Sequence, residues 1–462
     1  MKRFFPFFLL VITGCTIKKG KDAGIDEYLL GQATYFRFNG NVLIAEKGEI
    51  VFQKSYGFAA FDSKRMLNDS SVFELASVSK QFTAMSILQL MEKGKLKLTD
   101  SLRQYFPELP YSNITIRHML THTSGLPDYE SAMNEKWDRS KIAFNNDMIA
   151  FLATEKLPVN FLPGTKWEYS NTAFAILASI VEKVSGQTFR DYLSENIFTP
   201  LGMQHSRIYN TRRSLKDTIG NYAYGFGYSD SLKKYILPDS DPNLGFVIYL
   251  DGIQGDGVVN STTTDLLKWD RALKNHTLLS EATQTEMLKG QELMDTLNKS
   301  FYGYGVMVVK NVRGNFISHS GGWPGYTTFL IRNTDADRTI IVLSNNNANS
   351  PVIAGALEKM IMGDTVIMPY EHKEIKLDSA AIEKFTGTYQ ANSKIKLERR
   401  GVKLFRVLPS GGSLELKPES ATKFFYSDGS DRQIEFELDE KNKIKKAWLI
   451  ALGIKTELKK VE

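Results

Sequence analysis

The sequence predicts an α/β fold of the α+β type: an antiparallel sheet flanked by helices and a helical subdomain, followed by a small all-β domain. Alternating apolar and polar residues indicate strands near the start of the chain and again just before residue 345. Apolar runs with helical spacing fill the long segment between them. After Asp364 the helical patterns end, and short alternating runs separated by turns continue to the C-terminus.

Residues 1–15 predict a targeting segment. Lys2 and Arg3 precede an apolar run from Phe4 to Ile12, which is too short to span a bilayer. The run ends in Ile12-Thr13-Gly14-Cys15, which resembles the lipobox of bacterial lipoproteins, so lipidation of Cys15 is expected. The alternative is an ordinary secretory peptide with an incidental cysteine. Residues 16–23 are interpreted as a tether.

The remaining elements are predicted in chain order. We expect a helix at 25–38, strands at 41–45 and 49–57, a helix from Ser77 towards Gly94, helices at 146–154, 173–184 and 188–198, a loop or ribbon at 222–243, a helix at 263–273, strands at 302–310, 315–319, 326–332 and 339–344, and a helix at 352–362. A boundary near 368–376 precedes seven short strands at 395–397, 402–407, 414–417, 423–426, 433–438, 446–451 and 455–458.

Composition excludes several classes of function. The 462 residues carry a net charge of +6, and lysine runs alternate with acids. No basic stripe is interleaved with aromatic residues, so no nucleic acid partner is expected. Cys15 is the single cysteine, which excludes disulfides and cysteine catalysis in the mature body.

Ser77 and Lys80 are the residues best suited to covalent catalysis. Val78, Phe82 and Met85 recur at helical spacing, so a helix is predicted to begin at or just before Ser77. Ser77 and Lys80 are three residues apart, so on a helix their hydroxyl and amine groups share one face. A desolvated lysine near the positive end of the helix dipole can act as a neutral base. It can then take the serine proton, and the oxygen attacks a carbonyl carbon.

The Ser-x-x-Lys spacing alone has low specificity. The other pairs with this spacing are Ser231 with Lys234, Ser393 with Lys396, and Ser420 with Lys423. These pairs are interpreted as solvated surface pairs, because only Ser77 opens a strongly apolar helix.

Neither a metal nor a cofactor is predicted. His118 and His122 are four residues apart, which could suit two metal ligands. No third ligand lies at a suitable distance, so both histidines are interpreted as structural. The glycine-rich stretch 252–261 lacks the strand–helix frame and the lysine of a phosphate-binding loop.

Three motifs in order resemble those of the serine β-lactamase and penicillin-binding protein superfamily: Ser77-Val78-Ser79-Lys80, Tyr169-Ser170-Asn171 and His319-Ser320-Gly321. The Tyr-x-Asn motif is similar to that of the class C β-lactamase branch, which includes D,D-peptidases, D-aminopeptidases and esterases. The match covers residues 24–365 and implies a β-lactamase/transpeptidase-like fold. Residues 376–462, with Phe385-Thr386-Gly387-Thr388-Tyr389, resemble the lipocalin-like domain often fused to such enzymes.

The resemblance implies a role for each matching residue. Ser77 would be the acylated nucleophile and Lys80 the base that activates it. Tyr169 would relay protons to the leaving group and from water; the alternative is a core tyrosine with a satisfied hydroxyl. Asn171 would hydrogen-bond the lysine or the substrate amide.

The third motif would lie on a strand at the edge of the cleft. His319, Ser320, Gly321 and Gly322 follow one another there. The backbone amides of Ser77 and Gly322 would form an oxyanion hole, where one lost donor typically costs roughly 3–4 kcal/mol. The two glycines are expected to resist substitution, because a side chain would block close approach of the substrate.

His319 departs from the pattern of the β-lactamases in this branch, which carry lysine at this position. Lysine is a fixed cation suited to a ligand carboxylate, whereas histidine is mostly neutral near pH 7. A peptide or ester substrate is therefore as well supported as a β-lactam. The alternative is that His319 only shapes the strand edge.

Together these features predict a serine hydrolase that acts through an acyl-enzyme on D-amino-acid peptides, esters or β-lactams. Its partners would be a small-molecule or peptide substrate and, through the N-terminal anchor, a membrane of the bacterial cell envelope. One alternative is a non-catalytic envelope protein that binds peptidoglycan fragments. Another is a binding protein whose functional part is the C-terminal β domain.

Overall fold

The computed structural model describes residues 21–208, 219–229, 231–296, 299–391, 393–409 and 411–461. The predicted targeting segment, Cys15 and residues 16–20 of the predicted tether lie outside these ranges. No helix within them is long and apolar enough to cross a bilayer.

Thirteen helices are assigned within the described ranges. They are α1 (Lys21–Phe36), α2 (Lys80–Glu92), α3 (Leu102–Tyr105), α4 (Ile116–Leu120), α5 (Tyr129–Lys136), α6 (Asn145–Glu155), α7 (Asn171–Ser185), α8 (Phe189–Leu193), α9 (Phe246–Tyr249), α10 (Thr263–Lys274), α11 (Glu281–Leu288), α12 (Ser350–Ile361) and α13 (Ser379–Glu383).

The strands assigned within the same ranges fall into a large sheet, a barrel and three small sheets. They are β1 (Gly40–Glu46), β2 (Glu49–Tyr56), β3 (Phe58–Ala60), β4 (Arg65–Met66), β5 (Phe73–Glu74), β6 (Arg207–Ile208), β7 (Gly227–Ser229), β8 (Lys234–Ile236), β9 (Val259–Ser261), β10 (Glu292–Asp295), β11 (Ser300–Tyr302), β12 (Met307–Asn311), β13 (Gly314–Trp323), β14 (Tyr326–Asn333), β15 (Arg338–Ser344), β16 (Gly387–Gln390), β17 (Lys394–Arg400), β18 (Lys403–Val407), β19 (Ser413–Pro418), β20 (Lys423–Tyr426), β21 (Gln433–Leu438), β22 (Ile444–Ala451) and β23 (Ile454–Lys460).

The large sheet is antiparallel and has the order β10-β11-β12-β13-β14-β15-β1-β2. Strand β1 pairs with β15, the last strand of this sheet in chain order, with Gly40 opposite Ser344. Both faces of β1 are buried, which explains why residues 42–45 are all apolar. Helices α1 and α12 cover one face, and the helical subdomain, centred on α2 and α7, packs on the other. The predicted α+β fold is confirmed.

The C-terminal strands β16 to β23 form a closed antiparallel barrel. Its interior is filled by apolar side chains, including Phe385, Tyr389, Phe424 and Phe436. A core packed in this way stabilises the barrel by burying apolar surface. The barrel therefore resembles a small packed domain more than an open ligand carrier.

Two hydrogen bonds join the barrel to α1. Tyr28 Oη donates to the carbonyl oxygen of Leu452 at 2.9 Å, and Gln32 Nε2 donates to Asp431 Oδ2 at 3.1 Å. The segment that precedes the barrel also contacts it, since the backbone amide of Ile367 donates to the carbonyl of Gly453 at 3.0 Å. The barrel thus packs on the face of the molecule formed by α1.

Several element boundaries differ from the prediction. Helix α1 begins at Lys21, so the predicted tether is partly helical. The predicted helix 188–198 is α8 followed by a π-helical turn at Ser194–Phe198. The predicted strand 302–310 is wrong: it divides into β11 and β12, because Gly303 and Gly305 form a tight turn, with Gly305 at a φ of 74°.

Candidate active site

Ser77 lies on a short 3₁₀ turn, Ala76–Ser79, that leads into α2. Strand β5 delivers the chain to this turn, and the backbone amide of Leu75 donates to the carbonyl of Val259 in β9 at 2.8 Å. Ser79 Oγ accepts from the backbone amide of Val259 at 3.1 Å. Ala76 has a φ of 47°, a left-handed conformation that costs a non-glycine residue about 1 kcal/mol or more. The hydroxyl of Ser77 therefore stands on a fixed and strained turn.

Lys80 is completely buried and donates three hydrogen bonds. Its Nζ atom lies 3.1 Å from Ser77 Oγ, 2.8 Å from Asn171 Oδ1 and 2.7 Å from the carbonyl oxygen of Asp256. The predicted proximity of Ser77 and Lys80 is thus present in the structure. An ammonium group has three protons to donate, and these three oxygens use all of them.

These three contacts restrict where a proton can move. A neutral amine has two protons and one lone pair, so one of the three oxygens would have to donate to it. The carbonyl oxygen of Asp256 and the amide oxygen of Asn171 can only accept. Ser77 Oγ is the one partner of Lys80 Nζ with a proton to give. A deprotonated Lys80 is therefore arranged to accept the proton of the Ser77 hydroxyl.

Asn171 begins helix α7, and its side chain bridges two groups. Ser170 caps this helix through its hydroxyl, which accepts from the backbone amide of Ala173 at 3.1 Å. Asn171 Oδ1 accepts from Lys80, and Asn171 Nδ2 donates to Glu130 Oε1 at 2.8 Å. Because each end of the amide has a partner, its orientation is fixed.

Tyr169 lies beside the lysine. The Nζ atom of Lys80 is 4.9 Å from the centroid of the tyrosine ring. The side chain is 39 % exposed, which argues against the alternative of a core tyrosine. The structure therefore brings Ser77, Lys80, Tyr169 and Asn171 together, from two stretches of chain about ninety residues apart.

His122 supports the second motif, a role that the sequence did not reveal. Its Nδ1 atom accepts from the backbone amide of Ser170 at 3.0 Å. Its ring lies 4.3 Å from that of Tyr169 and 4.5 Å from that of Tyr302, centroid to centroid. Burial, followed by the charge of Lys80, holds the pKa of His122 well below its usual range, so the imidazole is neutral. In the sequence, the polar stretch Thr121-His122-Thr123 was the available signal for this supporting role.

The histidines considered above as metal ligands, His118 and His122, have structural contacts instead. His118 is part of a capping box: its Nδ1 atom accepts from the backbone amide of Thr115, and its own amide donates to Thr115 Oγ1, both at 3.3 Å. Within the residues that the structure describes, no group of three or more His, Cys, Asp or Glu side chains could hold a metal.

His319 is buried behind the cleft, on β13. Its Nδ1 atom lies 2.7 Å from the carbonyl oxygen of Ser320, so Nδ1 carries the proton. The other nitrogen, Nε2, accepts from the hydroxyl of Tyr302 at 3.0 Å. Burial, with a smaller effect of Lys80, lowers the pKa of His319 to about 3. Because both nitrogens are engaged and the ring is neutral, the geometry favours the alternative in which His319 shapes the strand edge.

Gly321 and Gly322 have different surroundings. A Cβ atom at Gly321 would overlap the carbonyl oxygen of Leu75 and Thr328 Oγ1, which are themselves hydrogen-bonded at 2.7 Å. A Cβ atom at Gly322 would meet nothing within 4 Å. Close packing of Gly321 against residues 75 and 76 thus brings β13 next to the turn of Ser77.

This contrast gives a matched pair of variants. Gly321→Ala is expected to lower the free energy of unfolding by about 1–3 kcal/mol, because the β13 backbone must move away from Leu75. Gly322→Ala is expected to unfold at the wild-type temperature. Thermal denaturation followed by circular dichroism checks both. Equal melting temperatures for the two variants would contradict the packing described for Gly321.

Four carboxyl side chains are among the described residues that line a cavity beside Ser77. The acids are Glu74, Glu130, Asp251 and Asp256; no lysine, arginine or histidine is among the described residues that line it. Burial, together with the charges of Asp256 and Asp128, raises the pKa of Glu130 to about 7. Burial also raises the pKa of Asp256, whose Oδ2 atom accepts from the hydroxyl of Tyr129 at 2.8 Å.

Comparison with known proteins identifies the family. The β-lactamase family model matches residues 32–359. The chain is 40% identical to penicillin-binding protein 4* of Bacillus subtilis (strain 168) over 415 residues, which cover 87% of this chain and 91% of the relative.

Two solved structures share the fold. A penicillin-binding protein from Bacillus halodurans is 27% identical, with a TM-score of 0.64, and covers 72% of this chain and 98% of its own. An octameric penicillin-binding protein homologue from Pyrococcus abyssi is 23% identical, with a TM-score of 0.67, over 94% of this chain and 99% of its own. The chain therefore belongs to the β-lactamase family and is similar to its penicillin-binding proteins.

Proposed function

We propose that the chain is a serine hydrolase that cleaves amide or ester bonds through an acyl-enzyme on Ser77. The observation that carries this proposal is the set of three hydrogen bonds from Lys80 Nζ, of which only the one to Ser77 Oγ can reverse direction. The family of the chain supports the same reaction.

In the proposed reaction, Lys80 takes the proton of Ser77 as Oγ bonds to the substrate carbonyl carbon. The negative charge on the carbonyl oxygen would be stabilised by the backbone amides of Ser77 and Gly322. Tyr169, beside the lysine, would pass a proton to the leaving nitrogen or oxygen as its bond to carbon breaks. Water then adds to the acyl carbon, gives up a proton through the same groups, and releases Ser77.

The substrate is proposed to be a D-amino-acid peptide or an ester, with β-lactams as the other possibility. The neutral, fully bonded His319 supplies no cation for a ligand carboxylate. This favours substrates that do not depend on such a cation at the third motif.

A panel of three probes tests the reaction class. A fluorescent penicillin, a fluorophosphonate and p-nitrophenyl esters are each incubated with wild type and Ser77→Ala. Rapid turnover of the penicillin indicates a β-lactamase, a slow stable adduct a penicillin-binding peptidase, and ester turnover alone an esterase. Wild type that neither binds covalently nor turns over any probe would favour the alternative of a non-catalytic protein that binds peptidoglycan fragments.

Deleting residues 377–462 and repeating the assay tests the alternative in which the barrel is the functional part.

We also propose that a lipid on Cys15 anchors the chain in the cell envelope. The motif Ile12-Thr13-Gly14-Cys15 supports this proposal. Wild type expressed in bacteria is expected in the membrane fraction, and Cys15→Ser in the soluble fraction. Equal membrane recovery of the two proteins would exclude the anchor.

A further inference from the structure

His122 holds the backbone on both sides of Tyr169. Its carbonyl oxygen accepts from the backbone amide of Glu168 at 2.9 Å, and its Nδ1 atom accepts from the backbone amide of Ser170 at 3.0 Å. These two amides flank the residue that carries the phenol. One residue therefore fixes the direction in which the Tyr169 side chain leaves the backbone.

The imidazole of His122 also packs on the phenol. The two ring centroids are 4.3 Å apart, at an interplanar angle of 38°. Tyr302 and His319 lie farther from the phenol, at 6.5 and 6.4 Å. The imidazole is completely buried and is held in turn by the ring of Phe174 at 5.0 Å. Of these rings, that of His122 limits movement of the phenol most directly.

The conformation of His122 is unusual for a structural residue. Its φ is 60°, a left-handed conformation that is strained for a non-glycine residue, and such strain is concentrated at functional sites. Because Nδ1 accepts, the proton of the neutral ring is on Nε2. Within the described part of the chain Nε2 has no acceptor. The polar contact of the imidazole with these residues is thus the one to Ser170.

The position of the phenol matters for one step of the proposed reaction. As the bond between the acyl carbon and the leaving group breaks, its electron pair goes to the leaving oxygen, which takes the proton of Tyr169. The phenolate then regains a proton from the Lys80 ammonium, which had taken it from Ser77. Such an acid contributes roughly 10²–10⁴-fold, and only within hydrogen-bond reach of the leaving atom.

We propose that His122 is a positioning residue for acylation, which holds the Tyr169 phenol where it can protonate the leaving group. The backbone contacts set the direction of the side chain, and the buried ring limits its rotation. This inference rests on the proposed function, because it requires acylation of Ser77 with proton transfer by Tyr169.

Two esters with the same acyl group isolate this step. p-Nitrophenolate is a stable anion that leaves without a proton, whereas the more basic phenolate of phenyl acetate depends on one. The ratio of kcat/KM for p-nitrophenyl acetate to that for phenyl acetate reports acylation alone, because hydrolysis of the shared acetyl-enzyme does not enter it. His122→Phe is expected to slow both esters and to raise this ratio by about tenfold or more, within the range of a general acid.

A conservative variant tests the contact with the Ser170 amide. His122→Asn places Oδ1 where Nδ1 was, and asparagine tolerates the left-handed backbone better than phenylalanine. It is therefore expected to return the ratio most of the way to the wild-type value. A ratio for His122→Asn no closer to wild type than that of His122→Phe would contradict this contact as the means of positioning.

His118 provides the matched control. Its Nδ1 atom also accepts from a backbone amide, that of Thr115 at 3.3 Å, but this contact caps α4. His118→Phe and His118→Asn should keep the wild-type ratio, whatever their melting temperatures. A substitution that only lowered the folded fraction would slow both esters by the same factor.

Tyr169→Phe shows whether His122 acts through the phenol. This variant keeps the ring that packs on His122 and should by itself raise the ratio. Adding His122→Phe should then raise it no further, because the two residues serve one proton transfer. Additive effects in the double variant would overturn the inference.

The remaining outcomes separate the two proposals. Equal slowing of both esters by His122→Phe would make His122 structural only. An unchanged ratio in Tyr169→Phe, or no cleavage of either ester by wild type, would also overturn the inference, even if no His122 variant folded. Wild type that is still labelled by a fluorophosphonate at Ser77 would then lose only the role of His122. Wild type without this label would refute the proposed function itself.

Discussion

Ser77→Ala is expected to remove covalent labelling and to lower kcat/KM by at least about 10⁴-fold, the scale seen when a catalytic serine is deleted. The substitution removes the oxygen that would bond to the acyl carbon. The neighbouring Ser79 hydroxyl is not expected to replace it, because Ser79 Oγ is buried and accepts from the backbone amide of Val259. Intact-mass spectrometry after fluorophosphonate treatment measures the adduct directly.

The fold should survive this change. Ser77 is half-buried, and its loss removes one hydrogen bond from Lys80, worth about 1 kcal/mol. Melting temperature serves as the check. Ser420→Ala, an exposed serine of the barrel that is also followed by a lysine three residues later, is the matched control and should label like wild type. If Ser77→Ala formed the fluorophosphonate adduct in the same yield as wild type, another residue would be the nucleophile.

Lys80→Met is expected to slow acylation by about 10³-fold or more, because the other two partners of Lys80, the amide oxygen of Asn171 and the backbone carbonyl oxygen of Asp256, are not bases that can take the Ser77 proton. Methionine fills most of the buried volume but leaves two oxygens without a donor. Stability is therefore expected to fall by about 2–4 kcal/mol. Stopped-flow or timed labelling gives the acylation rate, and urea denaturation gives the free energy of unfolding.

Lys234→Met is the control for this variant. Lys234 is exposed in β8 and also follows a serine by three residues, so only the location of the lysine differs. It should match wild type in rate and stability. Acylation of Lys80→Met at the wild-type rate would move the role of base to another group, with Tyr169 the next to test.

The sequence predicted the local part of the site and not its surroundings. Ser77 and Lys80 meet because one helical turn brings residues three apart onto one face, which spacing alone predicts. The contact of Lys80 with Asn171 was predicted from the family resemblance, which depends on the order of the three motifs. Glu130 could not be found this way, because its partner Asn171 is forty-one residues away in sequence and no local pattern encodes that contact.

The same limit applies to the fold. Strands β13, β14 and β15 were predicted within a few residues, since their alternation is local. The β11–β12 turn was missed because its reason is tertiary: a Cβ atom at Gly305 would lie 2.7 Å from the carbonyl oxygen of Lys80. Strand β16 was missed because four residues carry too little alternation to stand out.

The pairing of β1 with β15 has a consequence for biosynthesis. The hairpin β1–β2 leaves the ribosome early, yet the strand that completes its edge, with Ser344 opposite Gly40, is made some three hundred residues later. At about 5–20 residues per second, that interval is on the order of 15–60 s. During it an apolar strand edge is open to pairing with other nascent chains. Chaperone capture of the nascent hairpin, or delay of collapse until translation ends, would protect the yield of active protein.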